Sequence, residues 1–147
     1  MSHHKNPLLI IHGPNLNLLG TREPDIYGSQ TLAELNKKIR EYAEKTHGFS
    51  TLFFQSNHEG CIIDFIHEHY EHAAGIIINP AALTHYSYAL RDAIAATGLP
   101  AVEVHLSDIH SREPFRKISV IEPVCIGQVS GKGVGSYVEG VDRIVKV

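Results

Sequence analysis

Apolar residues in this chain come in short unbroken runs that alternate with longer stretches repeating every three to four positions. Leu8-Leu9-Ile10-Ile11, closed by Gly13-Pro14, has the length and branching of a strand covered on both faces. Thr31 then opens a helix. Glu34 completes a capping box, Leu32, Leu35, Ile39 and Tyr42 fall at helical spacing, and Gly48 stops the run. Residues 51–56 predict a second strand. Ser56 and Glu59 make another capping box, leading into a helix with Ile62, Ile63, Ile66 and Tyr70 on its inner face. Residues 75–80 are a third strand, followed by a helix from about Thr84 to Thr97 that ends at Gly98. Residues 101–105 and 124–129 predict two more strands, and Ser136 and Glu139 cap a last helix carrying Tyr137, Val138, Val141 and Ile144.

Strands alternating with helices, joined by right-handed crossovers, give an α/β fold: a flavodoxin-like three-layer sandwich with a five-stranded parallel sheet. The chain has no repeats or linkers, so 1–147 reads as a single domain, with 1–7 a loose polar end. In such a sheet every strand directs its carboxyl end at the same rim, where ligands bind. The polar residues that interrupt the apolar pattern fall there: Asn15 after the first strand, Asn79 after the third, Glu103 and His105 at the end of the fourth. The segment 106–116 continues outward from that end. Residues 13–28, with two prolines and three glycines, form a long irregular loop that also carries Arg22 and Tyr27. His85 and Asp92, seven apart on the third helix, share one of its faces.

Composition narrows the chemistry. A net charge of −3 and the absence of any Lys/Arg block argue against nucleic acid as a partner, and no apolar run approaches a membrane span. Cys61 and Cys125 each stand beside isoleucine and are expected to be buried, reduced thiols, which suits the cytoplasm. Residues 127–133 fall one short of a phosphate-binding loop, and Gly131, Gly133 and Gly135 make no dinucleotide fingerprint. In His67-Glu68-His69-Tyr70-Glu71-His72, Glu71 stands where a zinc-protease motif needs its second histidine, so the segment reads as a solvated helix surface. No cofactor motif, metal motif or nucleophile-elbow serine remains. Acid–base work on a small molecule fits what is left, and a non-catalytic flavodoxin-like module binding a small acid or nucleotide is the rival.

The motifs Gly13-Pro14-Asn15-Leu16-Asn17-Leu18-Leu19-Gly20, Arg22-Glu23-Pro24, Tyr27-Gly28, Gln55-Ser56-Asn57-His58-Glu59-Gly60, Ile78-Asn79-Pro80-Ala81-Ala82-Leu83-Thr84-His85, Val102-Glu103-Val104-His105-Leu106-Ser107 and Arg112-Glu113-Pro114-Phe115-Arg116 follow one another along nearly the whole chain. Together they resemble the type II 3-dehydroquinate dehydratases (type II dehydroquinases). Ala81-Ala82, where that family often has glycine, and Tyr86, where it often has a small hydroxyl residue, are departures. The resemblance implies dehydration of 3-dehydroquinate to 3-dehydroshikimate, in the shikimate route or in quinate breakdown. It also implies no cofactor, no metal and no imine-forming lysine, and a homo-oligomer, a dodecamer of four trimers.

By the same resemblance Tyr27, as a phenolate, is the base. Ionising a free phenol at pH 7 costs about 4 kcal/mol. A guanidinium about 4 Å away returns about 4 kcal/mol at an effective dielectric near 20, which gives Arg22 and Arg112 their role. Asn15 fits the enolate, His105 is the general acid, and Glu103, leaving the same strand face, orients its imidazole. Substrate binding carried over by motif falls to Asn79, His85, Asp92, Leu106, Ser107 and Arg116, with the 20–28 loop as a lid.

Overall fold

The computed structural model describes residues 5–21, 25 and 29–147, and in it the apolar runs form one parallel sheet. Its strands are β1 (Leu8–His12), β2 (Thr51–Gln55), β3 (Gly75–Asn79), β4 (Ala101–His105) and β5 (Gly127–Ser130), in the spatial order β2-β1-β3-β4-β5. Because side chains alternate across a strand, the runs feed two separate cores. Leu8, Ile10, Ile77, Val102, Val104 and Val129 pack against α1 (Leu32–His47) and α4 (Val134–Val145). On the other face, Leu9, Ile11, Ile76, Ile78 and Ala101 pack against α2 (Glu59–His69) and α3 (Tyr88–Thr97). The result is the expected three-layer α/β sandwich.

The chain leaves β1 toward one edge to make β2, then returns to β1's other side as β3. Opposite winding on the two sides opens a crevice at the carboxyl ends of β1 and β3. Gly13 lies in that crevice: its N–H donates to the Asn79 carbonyl at 2.8 Å, and a Cβ there would lie 2.5 Å from the Pro80 oxygen. A side chain at position 13 would push the two strand ends apart.

Several boundaries differ from the sequence reading, each because a side chain has a better partner. Thr31 caps α1 as expected, its hydroxyl accepting from the Glu34 N–H at 3.2 Å. The Ser56–Glu59 capping box does not form. His58 is the N-cap of α2, Ser56 Oγ accepts from the His58 N–H at 2.9 Å, and the Glu59 carboxylate accepts from the Ser87 hydroxyl at the start of α3. Phe65 joins Ile62 and Ile66 on the inner face of α2, while Tyr70 lies in a following 3₁₀ turn. α3 starts at Tyr88, not at about Thr84, with Ser87 as its cap, accepting from the Leu90 N–H at 3.1 Å. Pro123 sits in a 3₁₀ turn (Glu122–Val124), so β5 starts only at Gly127. Ser136 lies inside α4, buried, where its Oγ accepts from the Lys132 N–H at 3.2 Å. The expectation of two buried thiols fails for Cys61, which is exposed in the first turn of α2, facing away from the core; Cys125 is half-buried, and both are free.

Candidate active site

A cleft opens at the carboxyl rim, over the ends of β1, β3 and β4. Asn15 enters from the loop after β1, Asn79 from the last residue of β3 and His105 from the last residue of β4. His85 closes one side, held by a 2.7 Å hydrogen bond to the Ile118 carbonyl and an edge-on contact with Phe115. Leu106, Ser107, Arg112 and Arg116 also line the cleft. The Leu106 and Ser107 carbonyls accept from the Gly133 and Gly131 N–H groups at 3.0 and 3.1 Å, which ties this segment to the loop before α4. Two guanidinium groups on one small cleft favour an anionic ligand.

Backbone conformation sets two of these positions. Asn15 has φ 71°, a left-handed value that asparagine tolerates, and its N–H donates to Asn57 Oδ1 at 2.9 Å. Ala81 has φ 52°, in the same region, where a Cβ costs about 1–2 kcal/mol. The Ala81 N–H donates to Asn79 Oδ1 at 3.1 Å, so the strained turn directly fixes a cleft side chain.

Behind His105 lies Glu103, fully buried in the middle layer. A carboxylate there is stable only if its lone pairs are filled. They are. Oε2 accepts from the Thr84 hydroxyl at 2.6 Å, from the Gln128 amide at 3.0 Å and from His105 Nε2; Oε1 accepts from the Ser119 hydroxyl at 2.6 Å. Burial alone would raise the Glu103 pKa, but the bonds from His105, Ser119 and Thr84 outweigh it and hold the carboxyl below its ordinary value. With Nε2 committed to Glu103, Nδ1 is the ring nitrogen left to act on a ligand. Burial, then the charges of Glu103 and Glu122, push the Cys125 thiol up to about 12, so it offers no thiolate nucleophile at neutral pH.

Asp92 does not join this group: it is exposed on α3 and lines no part of the cleft. Because His85 sits in a 3₁₀ turn (Ala81–His85) before α3, the shared helix face expected for His85 and Asp92 does not exist. Arg22 and Tyr27 lie outside the described residues, as does most of the expected lid. Among the described residues no cluster of three or more His, Cys, Asp or Glu is arranged to hold a metal.

Thr84, Ser119 and Gln128 were not singled out from sequence. A signal existed for one of them. Glu103 interrupts an apolar strand and demands donors, and Gln128 is its register partner on β5.

The class II dehydroquinase family model matches residues 6–145. The chain belongs to that family. It is 54% identical over 142 residues to the 3-dehydroquinate dehydratase of Halothermothrix orenii, covering 97% of this chain and 95% of that one. The enzyme of the same name from Caldicellulosiruptor saccharolyticus is 58% identical over 132 residues, covering 89% and 90%. In structure, the chain superposes on the type II dehydroquinase of Butyrivibrio crossotus with a TM-score of 0.92 at 47% identity, covering 97% of this chain and 99% of that one. The flavodoxin-like expectation from the strand pattern and the resemblance seen in the motifs thus agree with family membership.

Proposed function

We propose that this protein dehydrates 3-dehydroquinate to 3-dehydroshikimate, and that the cleft over β1, β3 and β4 is where it does so. The observation that carries the reading is the Glu103–His105 pair: a sealed, fully hydrogen-bonded carboxylate orienting an imidazole at the edge of a cleft that also holds Arg112 and Arg116. Tyr27, as a phenolate beside Arg22 and Arg112, takes the proton next to the ketone, and the electron pair moves into an enolate. Asn15 donates to that oxygen. The enolate re-forms the ketone as the neighbouring C–O bond breaks, and the leaving hydroxyl takes the His105 Nδ1 proton and departs as water. Glu103 stabilises the imidazolium before that transfer. Asn79, His85, Ser107, the Leu106 amide and Arg116 hold the ring hydroxyls and carboxylate.

Four broader points belong to the same proposal. The chain works as one catalytic domain. It resides in the cytoplasm, which two free cysteines suit; no helix among the described residues is long and apolar enough to cross a membrane. It assembles as a dodecamer of four trimers, an arrangement that would cover the exposed Tyr86, Phe115 and Ile118 beside the cleft. Asp92, exposed and remote from its own cleft, can bind substrate only in a neighbouring subunit's cleft. The test is an ultraviolet assay with 3-dehydroquinate: conjugation of the product enone gives a rising absorbance. Affinity for the substrate without that rise would identify a binding module instead.

A further inference from the structure

Of the sequence motifs, Gln55-Ser56-Asn57-His58-Glu59-Gly60 alone has no part in the mechanism above. Its first residue closes β2 and is the register partner of His12 on β1, so the motif emerges beside the loop that carries Asn15. Gln55 Nε2 donates to the Gly13 carbonyl and to Asn57 Oδ1, each at 3.2 Å, with Asn17 Oδ1 at 3.5 Å. Asn57 Oδ1 also accepts from the Asn15 N–H at 2.9 Å. The Gly13 carbonyl can only accept and the Asn15 N–H can only donate, so the orientation of both side-chain amides is fixed.

We infer that Asn57, braced by Gln55, is a positioning residue that holds Asn15 in its left-handed conformation and so presents the Asn15 side-chain amide to the enolate oxygen. Asn15 is the N-cap of a 3₁₀ turn (Leu16–Leu18), a place where an asparagine side chain ordinarily folds back onto a backbone N–H. Here it makes no such bond. The backbone closes the turn instead, the Leu18 N–H donating to the Asn15 carbonyl at 3.0 Å, and Asn15 lines the cleft. An L-residue leaves a backbone of φ 71° and ψ −5° for the right-handed basin unless something holds it. The Gly13 N–H bond to the Asn79 carbonyl anchors the loop before Asn15, and the buried Leu16 and Leu19 anchor it after. Between those anchors, Asn57 fixes the Asn15 N–H. Without it the loop stays docked while the peptide at Asn15 is free to turn and take the side chain off the cleft. A donor aimed at charge that develops only in the transition state acts on kcat, not on KM.

The inference rests on the proposed dehydratase activity, in which Asn15 donates to the enolate, and steady-state kinetics with 3-dehydroquinate separate the two. Losing such a donor outright costs about 10²–10³-fold in kcat. Asn57→Ala, which only lets the donor drift, is expected to lower kcat about tenfold with KM within about threefold. Asn57→Asp keeps an acceptor for the Asn15 N–H and should return kcat to within about threefold of wild type. A double-mutant cycle excludes a general loosening of the loop: in an Asn15→Gly background, where glycine accepts the left-handed backbone but has no amide to aim, Asn57→Ala should change kcat by less than about twofold. An unchanged kcat in Asn57→Ala overturns the inference, as does an equal loss in Asn57→Asp or an equal loss in both backgrounds. Asn57 is exposed, so the variants should fold; if Asn57→Ala does not, Gln55→Met, which removes the brace, carries the same test with the same fall in kcat expected and the same results against it. Wild-type protein that leaves 3-dehydroquinate unchanged removes the activity and the inference together; active wild-type protein with unaltered variants removes the inference alone.

Discussion

Glu103→Gln isolates what the buried carboxylate contributes. Oε2 takes three of the four hydrogen bonds, from Thr84, Gln128 and His105, so the glutamine carbonyl oxygen would settle there. The new NH₂ would then face Ser119, whose hydroxyl can turn its hydrogen toward Thr84 Oγ1, 3.2 Å away. One bond reverses and the packing survives, so the melting temperature should move by only a few degrees. Catalysis loses more. A carboxylate about 4 Å from an imidazolium stabilises it by about 4 kcal/mol at an effective dielectric near 20. A hydrogen bond to a neutral amide oxygen restores about 1 kcal/mol of this. The remaining 3 kcal/mol or so corresponds to a loss of about 10²-fold in kcat with KM nearly unchanged. The ultraviolet assay under saturating substrate reads this directly. A folded variant within threefold of the wild-type kcat would refute the role given to Glu103.

Other expectations follow from the same geometry. Tyr27→Phe should abolish turnover yet leave substrate binding measurable by calorimetry; near-normal turnover would remove Tyr27 as the base. Ala81→Gly should raise stability by about 1 kcal/mol, since glycine adopts φ 52° without the Cβ penalty, part of the gain being offset by its greater unfolded-state freedom; a fall in urea midpoint would contradict the strain. His12 has a folded pKa of about 4 against 6.5 unfolded, so below pH 6.5 the unfolded chain binds the extra proton and stability should fall by about 3 kcal/mol by pH 4. Glu103, depressed from 4.5, loses its contribution only below that pH, so urea titrations between pH 6.5 and 4.5 report His12, and His12→Gln should flatten them.

Much of this was legible in the sequence where one residue's surroundings settle its fate. The unbroken apolar runs Leu8–Ile11 and Ile76–Ile78 could only be strands covered on both faces, and Glu103 and His105 stood out because they break such a strand near its end. Boundaries governed by competition were not legible. Thr84 looks like a helix cap as much as Ser87 does, and only the buried Glu103, nineteen residues on, claims its hydroxyl. Ser119 is hidden for the same reason, its partner lying on another element. Helical periodicity placed His85 and Asp92 on one face, yet the strained turn at Ala81 delays the helix until Tyr88 and separates them. His12 gave no sign that it would be buried, since its hydrogen-bond partners, Asn36 and Tyr137, come from α1 and α4.

The enclosure of Glu103 has a kinetic corollary. With Nε2 held by Glu103, the imidazole gives up and regains its proton at Nδ1, the nitrogen on the cleft side. A spent imidazole is therefore recharged from bulk water only by way of the substrate doorway. Egress of product and re-entry of hydrogen ion share one gate, and each turnover must vacate before it can rearm.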